Sequence, residues 1–298
     1  MKKVPVVSTK KERWDKVAIL FILPYIVFCS AFMIYPTIMA IAGSVAEWNM
    51  ITNSFDEFIG FDNYIRLFQD DEFWQSVKNS MIYFVVQIPT SILGGMFIAS
   101  LLNGKFRGRN LFRGIYFLPI VIGSVVVSII WKWMLQTSSG LINYFIEIIG
   151  FEGLPWLTSA SLSMLSVSLV KAWMDIGYYT VIFLAAYQSI SRDYVEAAEI
   201  DGATRRDIFL KIKLPLLNPT VVFCITMATI WAFQIFSEPY IMTSGGPQGS
   251  STTMVLLLYE QGFTYYDLSY ASTIGVVVSL LIIIVSIVEN KIFKRDTD

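Results

Sequence analysis

The sequence predicts an all-α membrane protein with six transmembrane helices, N- and C-termini in the cytoplasm, and a polar helix–turn–helix loop between helices four and five. Three observations carry this. Hydrophobic residues make up 55% of 298 and the mean hydropathy is +0.60, far too apolar for a soluble chain of this size. Apolar runs that reach the ~20 residues needed to cross a bilayer recur six times. Finally, 18 of the 22 Lys and Arg fall in residues 1–16, 103–113, 191–216 and 291–298, which the six runs place on one side. Basic residues collect on the cytoplasmic side, so these segments are predicted to face the cytoplasm.

Composition also excludes chemistry. The chain has no histidine, so imidazole acid–base catalysis and His-ligated metal are out. No GxxxxGK[ST] loop is present to cradle ATP. Cys29 and Cys224 both fall inside apolar runs, where packing explains them better than a disulfide. No cluster of reactive groups is visible, and neither an enzyme, a cofactor, a metal nor a nucleic-acid partner is expected. The net charge of −1 decides nothing.

Residues 1–16 form a basic tail (Lys2, Lys3, Lys10, Lys11, Arg13, Lys16). Span one, about Val17–Ala42, is longer than the ~7–15 residues of a signal-peptide core and is read as retained. Pro24 and Pro36 predict kinks in it. Residues 47–79 are a polar loop with seven acids (Glu47, Asp56, Glu57, Asp62, Asp70, Asp71, Glu72) against Arg66 and Lys78. A short interfacial helix would put Phe73 and Trp74 at the headgroups. That loop reads as lying on the interface or touching a partner, with a substrate contact as the other option. Span two is about Ser80–Leu102, with Gly95 and Ala99 as a small-xxx-small pair for close helix approach. The short basic loop Asn103–Arg113 leads to span three, about Gly114–Leu135. There Lys132, between Trp131 and Trp133, is expected to snorkel at an outer aromatic belt. The stretch 137–165 lies outside, and its apolar Leu141–Ile149 is too short to span. Span four is about Ser166–Ile190, span five about Leu217–Tyr240, and span six about Leu268–Val288. Between the last two, Ile241–Thr264 is turn-rich at Gly245-Gly246-Pro247. One domain, 17–290, thus sits between tails 1–16 and 291–298.

The loop 191–216 is the most informative segment. Ser191 can cap a short helix with Asp193 in its first turn. Ala197 and Ala198 keep its surface low, and Gly202 stands where a helix end favours a left-handed residue. Thr204 and Asp207 read as a capping box for a second helix, which Pro215 and Pro219 should limit. Glu196-Ala197-Ala198, Gly202 and Leu214-Pro215 together resemble the EAA loop of ABC-importer permease subunits. The fuller LAAYQSI…YVEAAEIDGA…LPLL and LFRGIYFLP…WKWML…GLIN are similar to the carbohydrate-uptake branch, that of the maltose and glycerol-phosphate permeases. The resemblance implies a multi-pass permease of a bacterial or archaeal plasma membrane. It implies two ATPase subunits, a second and non-identical permease, and an extracytoplasmic solute-binding protein as partners. Glu196, Ala197, Ala198, Asp201, Gly202 and Ala203 would couple the chain to an ATPase. Unlike the larger maltose-type permease, the chain is expected to be a plain six-span core, without a large outer-loop insertion or extra N-terminal spans.

A sugar needs hydrogen-bonding groups beside aromatic planes. Span four offers Trp173, Asp175, Tyr178 and Tyr179 around Gly177, and span five offers Trp231, Gln234, Ser237 and Glu238. Counted from Tyr187, Asp175 lies twelve residues or about 18 Å into the membrane, slightly outward of the middle, with Lys171 at i−4 to pair with it. Alternatively the aromatics are packing and Lys171–Asp175 a structural pair. An ion-coupled secondary transporter using Asp175 and Glu238 is the rival function, because acids within a membrane are costly and tend to be functional. A purely structural subunit would need neither these groups nor the loop. The energy source, ATP or an ion gradient, separates the readings.

Overall fold

The structure, a computed structural model, describes residues 11–49, 52, 54–104 and 107–294. Most of the basic tail expected at 1–16, and residues 295–298 of the other tail, lie outside these. Helix α1 (Lys11–Cys29) continues through a π-helical turn (Ser30–Ile34) into α2 (Tyr35–Gly43). Pro36 falls at the start of α2, and the wider turn ahead of it accommodates its missing N–H, so the expected kink is a π-bulge rather than a break.

The polar loop differs from expectation. It begins with an antiparallel hairpin, β1 (Ala46–Asn49) and β2 (Ser54–Phe58), paired Ala46 to Phe58 and Asn49 to Ser54. After α3 (Asp62–Gln69), Asp70 caps the N–H of Glu72 at 2.8 Å and starts α4 (Asp71–Leu102). Span two therefore begins nine residues before Ser80, and there is no separate interfacial helix at Phe73 and Trp74. Phe73 is 2% exposed, packed against the last helix, while the Trp74 indole donates to the Phe68 carbonyl.

Helices α5 (Arg109–Ile122) and α6 (Ser124–Met134) replace the single span three, bent by 100° at Gly123. The expected loop residues Arg109–Arg113 are already helical. Lys132 does not snorkel: its ammonium donates to the Ile241 carbonyl at 2.8 Å. Next comes α7 (Leu141–Ile148), short as expected, where the buried Asn143 amide donates to the carbonyls of Thr137 before the helix and Leu154 after it. Helix α8 is Ser163–Ser189, followed by α9 (Arg192–Ile200). Then α10 (Arg205–Asp207), a π-helical stretch Ile208–Lys213 and α11 (Leu214–Ala232) run on as one helix, so Pro215 does not limit it. Span five ends there: α12 (Ser237–Met242) is separate, and α13 (Met254–Tyr259) with a π-turn (Glu260–Thr264) lies within the expected turn-rich loop. That turn carries Glu260. Helix α14 (Leu268–Lys294) runs further than expected, taking in Glu289.

Among the described residues five helices are long and apolar enough to cross a membrane, and the α5–α6 pair makes a sixth if counted as one bent span. The spine is α4 against α8. A Cβ on Gly95 would lie 2.6 Å from the Tyr179 Cβ, so only glycine permits that approach. A second core joins Phe73, Met254, Tyr270 and Ile274, fastening α14 to α4 and α13. Arg66 reinforces it, bonded to Asp267 at 2.7 Å and stacked on Tyr270. The first helix stands apart. From Leu20 to Ile38 every side chain but that of Cys29 is exposed, and contact begins only near Gly43.

Candidate functional site

The loop after α8 is built from local signals. The Ser191 hydroxyl accepts from the Asp193 N–H at 3.3 Å and starts α9. At its other end the Ala203 N–H reaches the Ala198 carbonyl at 2.9 Å and the Gly202 N–H that of Glu199 at 3.1 Å. That is a Schellman pair, and Gly202 takes the left-handed φ of +79° that it requires. Two residues on, Thr204 and Asp207 exchange side-chain-to-backbone bonds as a capping box, and Lys211 binds Asp207 at 2.7 Å. Two helices are thus held at a fixed angle. Glu196, Ala197, Asp201 and Gly202 are exposed, Ala198 and Ala203 half-buried, and Tyr194 and Ile200 present bare apolar surface. Beside them a groove of about 420 Å³ runs between α8 and α9, lined by Asn103, Tyr187, Arg192, Glu196, Glu199 and Lys213.

The membrane-embedded candidates meet around Lys171. Its ammonium lies 2.6 Å from Asp175 and 3.9 Å from Glu238, itself 3% exposed on α12. Gln87 on α4 donates to the other Asp175 oxygen at 2.8 Å. Tyr178 packs edge-on against Trp231, and Trp173 against Trp131. Three of the sequence-based placements change. Gln234 and Glu238 do not share a helix face, since α11 ends at Ala232 and Gln234 stands exposed in the turn. Ser237, half-buried, begins α12 instead of continuing span five. Tyr179 turns into the α4 contact, fully buried, and touches the aromatic flank only through an edge-on contact with Tyr178.

Several polar anchors escaped the sequence reading. Gln87 was visible as an amide one turn before Ser91 in an apolar run. Asn79 donates to the carbonyls of Gly249 and Thr252, holding the Gly-Gly-Pro loop against α4. Glu289 accepts from Thr229 at 2.6 Å. At the end of the bundle opposite α9, a cavity of about 560 Å³ is lined by Asp71, Glu72, Glu260, Gln75 and Gly245. Burial, and then the Glu72 carboxylate, push the Glu260 carboxyl above its ordinary value.

Residues 91–297 match the family described as the binding-protein-dependent transport system inner membrane component. The chain belongs to that family. As an inner membrane component it is a multi-pass protein of the plasma membrane and a non-catalytic subunit of its transport system. It is 33% identical over 279 residues to the probable ABC transporter permease protein YurN of Bacillus subtilis, covering 92% of this chain and 95% of that one. It is 34% identical over 288 residues to the lactose transport system permease protein LacF of Rhizobium radiobacter, covering 95% of each. Among solved structures, a bacterial ABC transporter involved in the import of the acidic polysaccharide alginate superposes with a TM-score of 0.85 at 22% identity. It covers 97% of this chain and 99% of that one, and shows the same fold.

Proposed function

We propose that this chain is a permease of an ATP-driven importer that takes up a carbohydrate handed over by an extracytoplasmic binding protein. It pairs with a second, non-identical permease and with two ATPase subunits. Both termini and the 191–216 loop face the cytoplasm, and 17–290 form one transmembrane domain between the tails 1–16 and 291–298. The observation that carries the reading is the capped α9–Gly202–α10 knuckle, which presents Tyr194, Ala197 and Ile200 as exposed apolar surface beside charged residues. Glu196 and Asp201 border that surface as polar contacts. A carbohydrate is supported by relatives named for lactose, for trehalose and maltose, and for sulfoquinovosyl glycerol. A binding protein is supported by the alginate transporter solved with its pentasaccharide-bound periplasmic protein.

The solute path runs past Trp173, Tyr178, Trp231, Gln234 and the Asp175–Lys171–Glu238 cluster, with Ser237 at its edge and Tyr179 supporting it from the core. The ion-coupled alternative loses ground, because both carboxylates are engaged by Lys171 and the family is binding-protein-dependent. The test is Gly202→Val. No atom lies within 4 Å of a Cβ there, so only the backbone conformation is strained. ATP-driven uptake into vesicles should fall with Gly202→Val and survive with Gly202→Asn, which tolerates the left-handed region. Equal uptake in both, or uptake driven by an ion gradient alone, overturns the proposal.

A further inference from the structure

Between α5 and α8, on the outer wall of the bundle, runs an apolar groove of about 390 Å³. Tyr116, Phe117, Val181 and Leu184 line it, and Gly114 and Gly177 keep its floor low. A guanidinium stands at one end. Nε and Nη2 of Arg113 are closed off from solvent and have no hydrogen-bond partner among the described residues. The side chain is half-buried with Nη1 left open, and a partly desolvated cation with no countercharge favours an anion beside it. The depth suits one kind of anion. Arg113 is four residues, about 6 Å, into α5, and Leu184 is five residues, about 7.5 Å, from the end of α8, where headgroups give way to acyl chains. Arg109 at the start of the same helix, and Arg107 in the turn ahead of it, add positive charge on the water side.

We infer that this groove binds an anionic phospholipid, its phosphate on Arg113 and one acyl chain along Tyr116, Phe117, Val181 and Leu184. The pairing of a basic residue with an apolar channel is what an anionic headgroup followed by a hydrocarbon tail requires, and neither a soluble anion nor a neutral lipid answers both parts. A phosphate oxygen can reach the guanidinium through Nη1, the nitrogen that is not closed off, in a charge-assisted hydrogen bond. The inference rests on the membrane reading and not on the energy source of transport.

The chain, purified with whatever partners accompany it, would be exchanged in detergent against phosphatidylglycerol or phosphatidylcholine and the retained lipid read by native mass spectrometry. Wild type should keep phosphatidylglycerol in preference to phosphatidylcholine. Arg113→Gln should weaken that retention about tenfold, the loss of one charge-assisted contact. Arg113→Lys should restore part of it, and Val181→Trp, which fills the groove and leaves the arginine in place, should abolish it. Retention of phosphatidylglycerol unchanged in both Arg113→Gln and Val181→Trp overturns the inference. So does loss of the second permease from Arg113→Gln with lipid retention intact, since the guanidinium then meets a partner's carboxylate. ATP-driven uptake by the same preparations tests the importer proposal separately.

Discussion

Lys171 answers two carboxylates at once, so its loss leaves Asp175 and Glu238 facing each other without a countercharge. Removing one partner of a buried pair costs about 3–5 kcal/mol, and the residual exposure of Lys171 and Asp175 puts this case toward the lower figure. Lys171→Met should lower the melting temperature in detergent, and Lys171→Met with Asp175→Leu should recover part of the drop. Equal melting of the single and double variants would dissolve the pair. Gly95→Val should cost about 1–3 kcal/mol by overpacking, because the Tyr179 Cβ and the Thr180 backbone cannot retreat. At this scale the sequence was partly legible. The i, i+4 spacing announced Lys171–Asp175, and Gly95 announced a close approach. Gln87 and Glu238 were not legible as their partners, because nothing local in a sequence brings α4, α8 and α12 together.

Two glycines turn the chain in different ways, and substitution separates them. Gly202 lies at φ +79° in a Schellman turn, where asparagine is tolerated. Gly123 lies at φ +90° and ψ 155°, a region essentially reserved for glycine. Gly123→Ala and Gly123→Asn should therefore each cost about 1–3 kcal/mol in thermal unfolding, although no atom stands within 4 Å of a Cβ there. A Gly123→Asn protein as stable as wild type would refute the argument. Thr204→Ala should fray α10 by about 1 kcal/mol and weaken ATPase co-purification. The caps at 191, 202 and 204 were readable because they are local hydrogen-bond chemistry. The breaks at Gly123 and at 233–236 were not. Apolar residues continue through both, and hydropathy records how far a segment is buried in lipid without recording its direction. The hairpin was hidden for a related reason: β2 is exposed along its whole length, so it carries no alternation to detect.

For the whole molecule, the basic-residue asymmetry gives the firmest expectation. Reporter fusions after Asn103 and Thr204 should report cytoplasm, and those after Gln69, Gly153 and Gln248 the opposite side. A reversed signal at any one of them would overturn the six-span arrangement. Five of the expected spans were legible because length and apolarity are additive along a chain, and the sixth is the bent α5–α6 pair. Their packing was not, since α4 and α8 meet through residues about 85 positions apart, such as Gly95 and Thr180.

The detached first helix has a consequence for biogenesis. Its lower end is held by the last span: the Thr273 hydroxyl donates to the Ser44 carbonyl, and the Trp48 N–H to the Ser269 hydroxyl, across 229 and 221 residues. A chain inserted from its N-terminus must leave that helix waiting in lipid until α14 has emerged and docked. The interval before translation finishes is then the period in which a protease of the membrane can recognise it, and a ribosome stalled ahead of α14 would release a product whose opening segment is tied only to the hairpin and α3.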